Sequence, residues 1–191
     1  MEIVVGISGA SGAAYAVRLL QVLRERGIII HLIITDSATR IIEIETDYQP
    51  KYIQDLADYV YSPRDFTAPF ASGSHLYDGM VVIPCSMGTL SAIACGSSDT
   101  LITRAADVCL KEKRRLIIVP RETPLGLVQL RNMVAAAEAG AVVLPACPAF
   151  YSRPSSLDDL VDVLVGRVLD LLGVKNDLYR RWQGTLERKC L

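Results

Sequence analysis

The chain has 191 residues, 51% of them hydrophobic and 21% charged, which suits one domain with a buried core and excludes intrinsic disorder over most of its length. Twenty Lys and Arg against 21 Asp and Glu leave a net charge of −1. No bulk positive field is available to hold a polyanion, so nucleic acid is not an expected partner.

Residues 2–8 (EIVVGIS) form an apolar, β-branched run, the mark of a strand buried on both faces of a parallel sheet. A glycine-rich turn follows, and then a helix with Val17, Leu20 and Leu23 on one face, ending in basic residues and Gly27. Residues 28–35 (IIIHLIIT) repeat the buried-strand pattern and complete a right-handed β-α-β unit. Further strands are predicted at 80–84, 115–119 and 141–144, alternating with helices near 36–45, 87–95, 99–113, 125–139 and 156–172. This alternation specifies a single-domain α/β fold, a doubly wound, Rossmann-like parallel sheet sandwiched by helices. Residues 46–79 are polar, carry three prolines and show little periodicity, the profile of an excursion that forms a lid or site wall. The domain is expected to end near Gly173, with 174–191 a weakly helical arm that packs on a neighbouring copy.

In such a fold, ligands bind beyond the carboxyl ends of the strands. Gly6, Gly9 and Gly12 follow the first strand, where glycine serves either a tight turn or the close approach of a phosphate to a helix N-terminus. The hydroxyls of Ser8 and Ser11 favour an anion. After the second strand comes Thr35-Asp36-Ser37, in which Asp36 suits a ribose hydroxyl, or Asp36 or Ser37 a helix N-cap. Pro84-Cys85-Ser86-Met87-Gly88-Thr89 is a small-residue loop that can present amides and hydroxyls to a ligand or pack a helix closely. Arg104 and Lys111, seven residues apart, share a helix face with Val108 between them and suggest an anion site, a solvated basic helix end being the alternative. Arg121 and Glu122 form a charged pair at the mouth of the fourth of these strands, which the fold does not require. Ser155 and Ser156 start the last helix, whose apolar stripe Leu160, Leu164, Leu171 is interrupted by Arg167. An inward arginine needs an anion, either a protein carboxylate or a ligand phosphate.

Cys85, Cys95, Cys109, Cys147 and Cys190 are odd in number and contain no CxxC pair, as in reduced cytosolic proteins. His31 and His75 come from unrelated segments, so no metal site is expected. No run reaches the roughly 18 apolar residues of a membrane span, and the first residues do not read as a cleavable leader. A soluble, cytoplasmic protein is expected. The mean hydropathy of +0.31 predicts that part of the apolar surface is covered by further copies.

In their order and spacing, GISGASGAAYAVRLL, PCSMGTLSAIACG, RAADVCLKEKRRL, VPRETPLG, PAFYSRP, GRVLDLLG and a late RW resemble the UbiX family of flavin prenyltransferases, formerly regarded as aromatic-acid decarboxylases. The resemblance runs through nearly the whole chain. It implies a dodecameric homo-oligomer that needs no metal and joins the prenyl group of dimethylallyl monophosphate to N5 and C6 of reduced FMN. The product, prenylated FMN, serves a UbiD-type decarboxylase. It further implies that Gly9, Ala10, Ser11, Thr35, Ser86, Met87, Gly88, Thr89 and Arg121 contact FMN, with Arg104 a basic neighbour. Lys111, Tyr151 and Arg167 would grip the prenyl phosphate, and Arg121 would help to neutralise it as it departs. Glu122 would deliver the phosphate its proton, although adjacent Arg121 opposes the raised pKa a general acid wants unless burial dominates. Glu45, with Ser11 beside it, would assist proton movement near the flavin. Phe66 stands where family members often have tryptophan, which implies an altered prenyl-chain fit, and Trp182 matches a tryptophan of a site-closing tail.

Three other readings compete. An FMN-dependent cysteine decarboxylase should carry a PxMNxxMW string and a catalytic histidine early in the second helical region, and a short-chain NAD reductase a YxxxK dyad; all are absent from the sequence. A non-catalytic flavin carrier has no need of a second anion site.

Overall fold

The computed structural model describes residues 1–184. Six parallel strands, β1 (Glu2–Ile7), β2 (Ile29–Ile34), β3 (Tyr59–Tyr61), β4 (Gly79–Cys85), β5 (Arg115–Pro120) and β6 (Val142–Val143), lie in the order β3-β2-β1-β4-β5-β6. This is the doubly wound order, and its direction reverses between β1 and β4. The helices are α1 (Ala13–Glu25), α2 (Asp36–Glu45), α3 (Pro50–Asp55), α4 (Met87–Ala94), α5 (Leu101–Lys111), α6 (Leu127–Glu138) and α7 (Leu157–Leu172).

Alternate strand residues face opposite layers, because side chains alternate along a strand. Ile3, Val5 and Ile7 of β1, with Ile30 and Leu32 of β2, pack on α1 and α7. Val4, Met80, Val82 and Ile118 pack on α4, α5 and Phe70. Both faces of the sheet are thus buried, as the unbroken apolar runs require.

The excursion at 46–79 contains α3, the edge strand β3 and a 3₁₀ turn, Pro69–Ala71. It is tied down along α5: Leu101 N donates to Pro63 O (2.7 Å), Arg104 Nε to Ala71 O (3.0 Å) and an Arg114 guanidinium nitrogen to Gly73 O (2.7 Å). Phe70 is fully buried beneath it. Most of the expected lid is therefore fixed wall.

Two helix starts differ from expectation. Thr35, and neither Asp36 nor Ser37, caps α2, its hydroxyl accepting from Ala38 N (3.1 Å); Asp36 favours the same end from the first turn. α5 begins at Leu101, behind a Thr100–Thr103 capping box. The Ser156–Asp159 box opens α7 as the sequence indicates.

Beyond Gly173, which ends α7 in the left-handed conformation, residues 174–184 are neither helix nor strand and fold back on their own chain. Val174 and Leu178 pack on the core, and Asn176 donates to Gly166 O (3.2 Å) and Asp170 (2.9 Å). Residues 185–191 of the expected arm, Cys190 among them, lie outside the described residues. No helix among the described residues is long and apolar enough to cross a membrane.

His31 and His75 are not apart: their rings are 6.0 Å from each other, with Glu2 touching both. The register of β1 beside β2 and the return of the chain into β4 bring these three distant positions to one edge of the sheet.

Candidate functional site

At the carboxyl ends of β1 and β4, Ser8 is buried and its hydroxyl joins the two strands, donating to Pro84 O (3.1 Å) and accepting from Ser86 N (2.8 Å). Its role is to fix the spacing of the switch point, and no part of that hydroxyl is left for an anion. Gly9 is needed because a Cβ there would lie 2.6 Å from the Ser37 Cβ. Gly12 is needed for its φ of +111°.

The N-terminus of α1, where the glycine pattern suggested a phosphate, is already answered by protein. Glu45, at the end of α2, accepts from Gly12 N (2.8 Å) and Ala13 N (2.9 Å). Partial burial pushes the Glu45 pKa up, but a hydrogen bond from the Ser11 side chain, the two amides and nearby Arg121 outweigh it and hold the carboxyl below its usual range. Glu45 is a carboxylate at neutral pH, bonded to the dipole of α1.

The neighbouring helices are open by contrast. Ser86 caps α4, accepting from Thr89 N (3.3 Å), and Thr35 caps α2. Among the described residues, the amides of Asp36 and Ser37 and those of Met87 and Gly88 donate to no protein atom. Nothing lies within 4 Å of a Cβ built on Gly88. First-turn amides exposed in this way bind anionic oxygens.

Arg121 extends the site from the end of β5, its amide donating to Cys85 O (3.3 Å). Its charge reaches Glu45 and also Tyr15, whose hydroxyl burial, chiefly, holds above its usual pKa. Glu122 is exposed and accepts from Thr123 N (3.0 Å).

A second region lies beyond β6. Leu144, Cys147, Tyr151, Leu164 and Arg167 line a cavity of about 260 Å³. Tyr151 also meets Trp182 edge to face, with ring centres 5.6 Å apart. The structure thus brings Tyr151, Arg167 and Trp182 into one neighbourhood. Arg167 does not point inward: its side chain is 52% exposed and lies 3.6 Å from Asp170. Asp170 in turn accepts from Tyr179 (2.7 Å) and Arg181 (2.6 Å). The stripe reading failed because α7 buries Val163, Val165, Val168 and Leu169 as well, a face broad enough to leave Arg167 on its rim.

Other named positions stand apart within one chain. Arg104 is held by Ala71 O and Asp107 (3.1 Å), and Val108 beside it is buried in place of lining a shared site. Lys111 ends α5 just before β5 begins, at the edge of the sheet opposite Arg121. Six residues of strand at about 3.3 Å each separate those edges by roughly 20 Å. Phe66 is half exposed in the segment that meets the start of α5.

Sequence reasoning missed Tyr15, which lies under Gly12, and the Asp170–Tyr179–Arg181 cluster. Tyr15 reads from sequence as a helix-face residue, and the cluster depends on a tail without periodicity.

Free amides at the N-termini of α2 and α4, an open Gly88 and a nearby arginine are donors of the kind that the phosphate and flavin edge of FMN require. Comparison with known proteins agrees. The Flavoprotein family matches residues 1–169. A flavin prenyltransferase UbiX of Thermoplasma acidophilum is 55% identical over 182 residues, 95% of this chain and all of that protein. Two crystal structures superpose with a TM-score of 0.94. One is a dodecameric FMN-dependent UbiX-like decarboxylase of Escherichia coli O157:H7, 47% identical over 96% of this chain and 100% of that one. The other is AnUbiX (PadA1) in complex with FMN and dimethylallyl pyrophosphate, 48% identical over 96% and 97%. Fold and switch-point site together define a flavoprotein of the doubly wound class. Within that class, the chain belongs to the UbiX family of flavin prenyltransferases.

Proposed function

We propose that this protein transfers the dimethylallyl group of dimethylallyl monophosphate to N5 and C6 of reduced FMN, releasing phosphate and prenylated FMN for a UbiD-type decarboxylase. What supports the reading is that two separate regions offer donors to an anion, the α2/α4 amides with Arg121 and the Tyr151–Arg167 cavity. A flavin carrier would need only the first.

Bound FMN supplies the nucleophilic nitrogen and carbon that accept the prenyl group. The protein's own groups do the rest. The amides of Asp36, Ser37, Met87 and Gly88 offer donors to FMN at the switch point. Arg121 and Arg167, with Lys111, bind the departing phosphate and neutralise the charge that grows as the allylic C–O bond breaks. Each charge-assisted hydrogen bond contributes about 1.5–3 kcal/mol. Glu122 gives the phosphate its proton. Phe66, Tyr151 and Trp182 offer π faces to the positive charge developing on the allyl carbons. Glu45, fixed by Ser11 and the α1 amides, accepts or relays the proton lost at the flavin edge.

Lys111 lies too far from Arg121 to serve the same site from the same chain, so in this reading it comes from another copy. The exposed apolar face of α6 supports a homo-oligomer of the kind its relative forms. The reading places the protein in the cytoplasm, with its free thiols reduced; burial pushes the Cys85 and Cys109 thiols up to about 12.

The test is anaerobic incubation of the purified protein with reduced FMN and dimethylallyl phosphate, followed by mass spectrometry. A flavin heavier by one prenyl unit is expected. Bound FMN with no gain in mass would overturn the assignment in favour of a carrier or a cysteine decarboxylase.

A further inference from the structure

Glu2 opens β1, His31 lies in the middle of β2, and His75 lies in the segment that enters β4. All three meet at the amino-terminal edge of the sheet, the edge remote from the switch point, with ligand atoms within 4.8 Å of one another. Glu2 Oε1 is 2.6 Å from His75 Nε2 and 2.9 Å from His31 Nε2.

The environment of His31 singles this cluster out. The ring is 4% exposed and boxed by Tyr59, Tyr61 and Phe70, with ring centres 4.8, 5.7 and 5.5 Å away. Its Nδ1 sits 2.9 Å from the Tyr61 hydroxyl. Its Nε2 is sealed from water and makes no aligned hydrogen bond, although the Glu2 oxygen is near. With the ring proton on Nδ1 donated to Tyr61, the Nε2 lone pair faces a carboxylate, a repulsive pairing unless a proton or a metal cation stands between them. A carboxylate, two imidazole nitrogens and an outer hydrogen bond that fixes the tautomer make up a familiar zinc donor set.

Zinc requires a modest readjustment of the cluster, whose ligand atoms lie within 4.8 Å of one another. Bonds of about 2.0–2.1 Å in a tetrahedron space the ligand atoms about 3.3 Å apart. The two Glu2 contacts need to open by less than about 1 Å, and both partners on the open side are partly exposed, Glu2 at 23% and His75 at 30%.

We propose that Glu2, His31 and His75 bind one zinc ion, with water as the fourth ligand, and that this ion ties the segment between the 3₁₀ turn and β4 to the edge of β1 and β2. His75 binds through Nε2 and carries its proton on Nδ1. The site is structural and takes no part in the chemistry at the other edge.

The test uses untagged, full-length protein loaded with zinc chloride and dialysed against metal-free buffer, with zinc measured by atomic absorption and affinity by competition with a chelator. One zinc per chain is expected to remain, with melting temperature higher than in the chelator-treated protein. Glu2→Gln and His75→Ala, both on the open side of the cluster, are each expected to bind about tenfold or more weakly, and Tyr61→Phe about tenfold through the lost outer hydrogen bond. Wild type that keeps no zinc overturns the proposal. So does zinc held as tightly by Glu2→Gln or His75→Ala as by wild type, which would place the metal elsewhere, for instance on exposed Cys95 or Cys147.

Discussion

Glu45 links three parts of the switch point: the end of α2, the positive end of α1 and the reach of Arg121. Its folded pKa lies below the unfolded value of about 4.3, so its contribution is complete above that value and is lost as pH falls through the folded one. Urea unfolding should therefore show wild type losing part of its margin over Glu45→Ala between pH 6 and about pH 3. At pH 7 the variant should be less stable by about 0.5–1 kcal/mol, the low end of capping effects because the carboxylate is exposed. Equal pH profiles would remove the cap from the account. Glu122 poses a different question, since the single chain leaves it in water. Glu122→Gln should retain flavin, seen as yellow absorbance after purification, yet turn over substrate about 100-fold more slowly, the low end of general acid catalysis. Full activity would show that the phosphate takes its proton from elsewhere.

At the scale of elements, the starts of α2 and α4 matter most, since their free amides form the proposed phosphate site. Gly9→Ala should push the first turn of α2 away, costing about 1–3 kcal/mol as overpacking does and weakening FMN retention beyond what the stability loss explains. Thermal melting and flavin content after gel filtration would check this, and unchanged flavin content would show that α2 does not touch the nucleotide. The long buried strands were legible because β-branched runs such as 28–35 have no other stable place. β3 was not: Tyr59–Tyr61 is a three-residue edge strand, largely exposed, too short to show a period and paired only through β2. α3, at six residues, fails for the same reason. The anion at the α1 terminus was misjudged because Gly12 and Glu45 are 33 residues apart, and only the packing of α2 against α1 joins them. The His31–His75 meeting was hidden likewise, since spacing along the chain says nothing about strand order.

At the scale of the whole molecule, the hydropathy that seemed too high for so small a surface has a location. Leu127, Val128 and Val134 of α6 are each more than half exposed, and Ala136 alone on that helix is buried. Val128→Glu combined with Val134→Glu should leave the fold intact by circular dichroism while dispersing the assembly to smaller species in light scattering, because desolvating charges in an apolar contact is unfavourable. With dispersal, transfer of the prenyl group should also fail, since Lys111 then has no neighbouring site to enter. An unchanged assembly mass would move the subunit contact off α6.

Parallel strands impose a common direction on everything packed against them. Because a helix that carries the chain from one parallel strand to the next, as α1 does between β1 and β2, runs back antiparallel to the sheet, its N–H dipole end lies at one rim and its C=O end at the other. Such a field favours anions at the first rim and cations at the second.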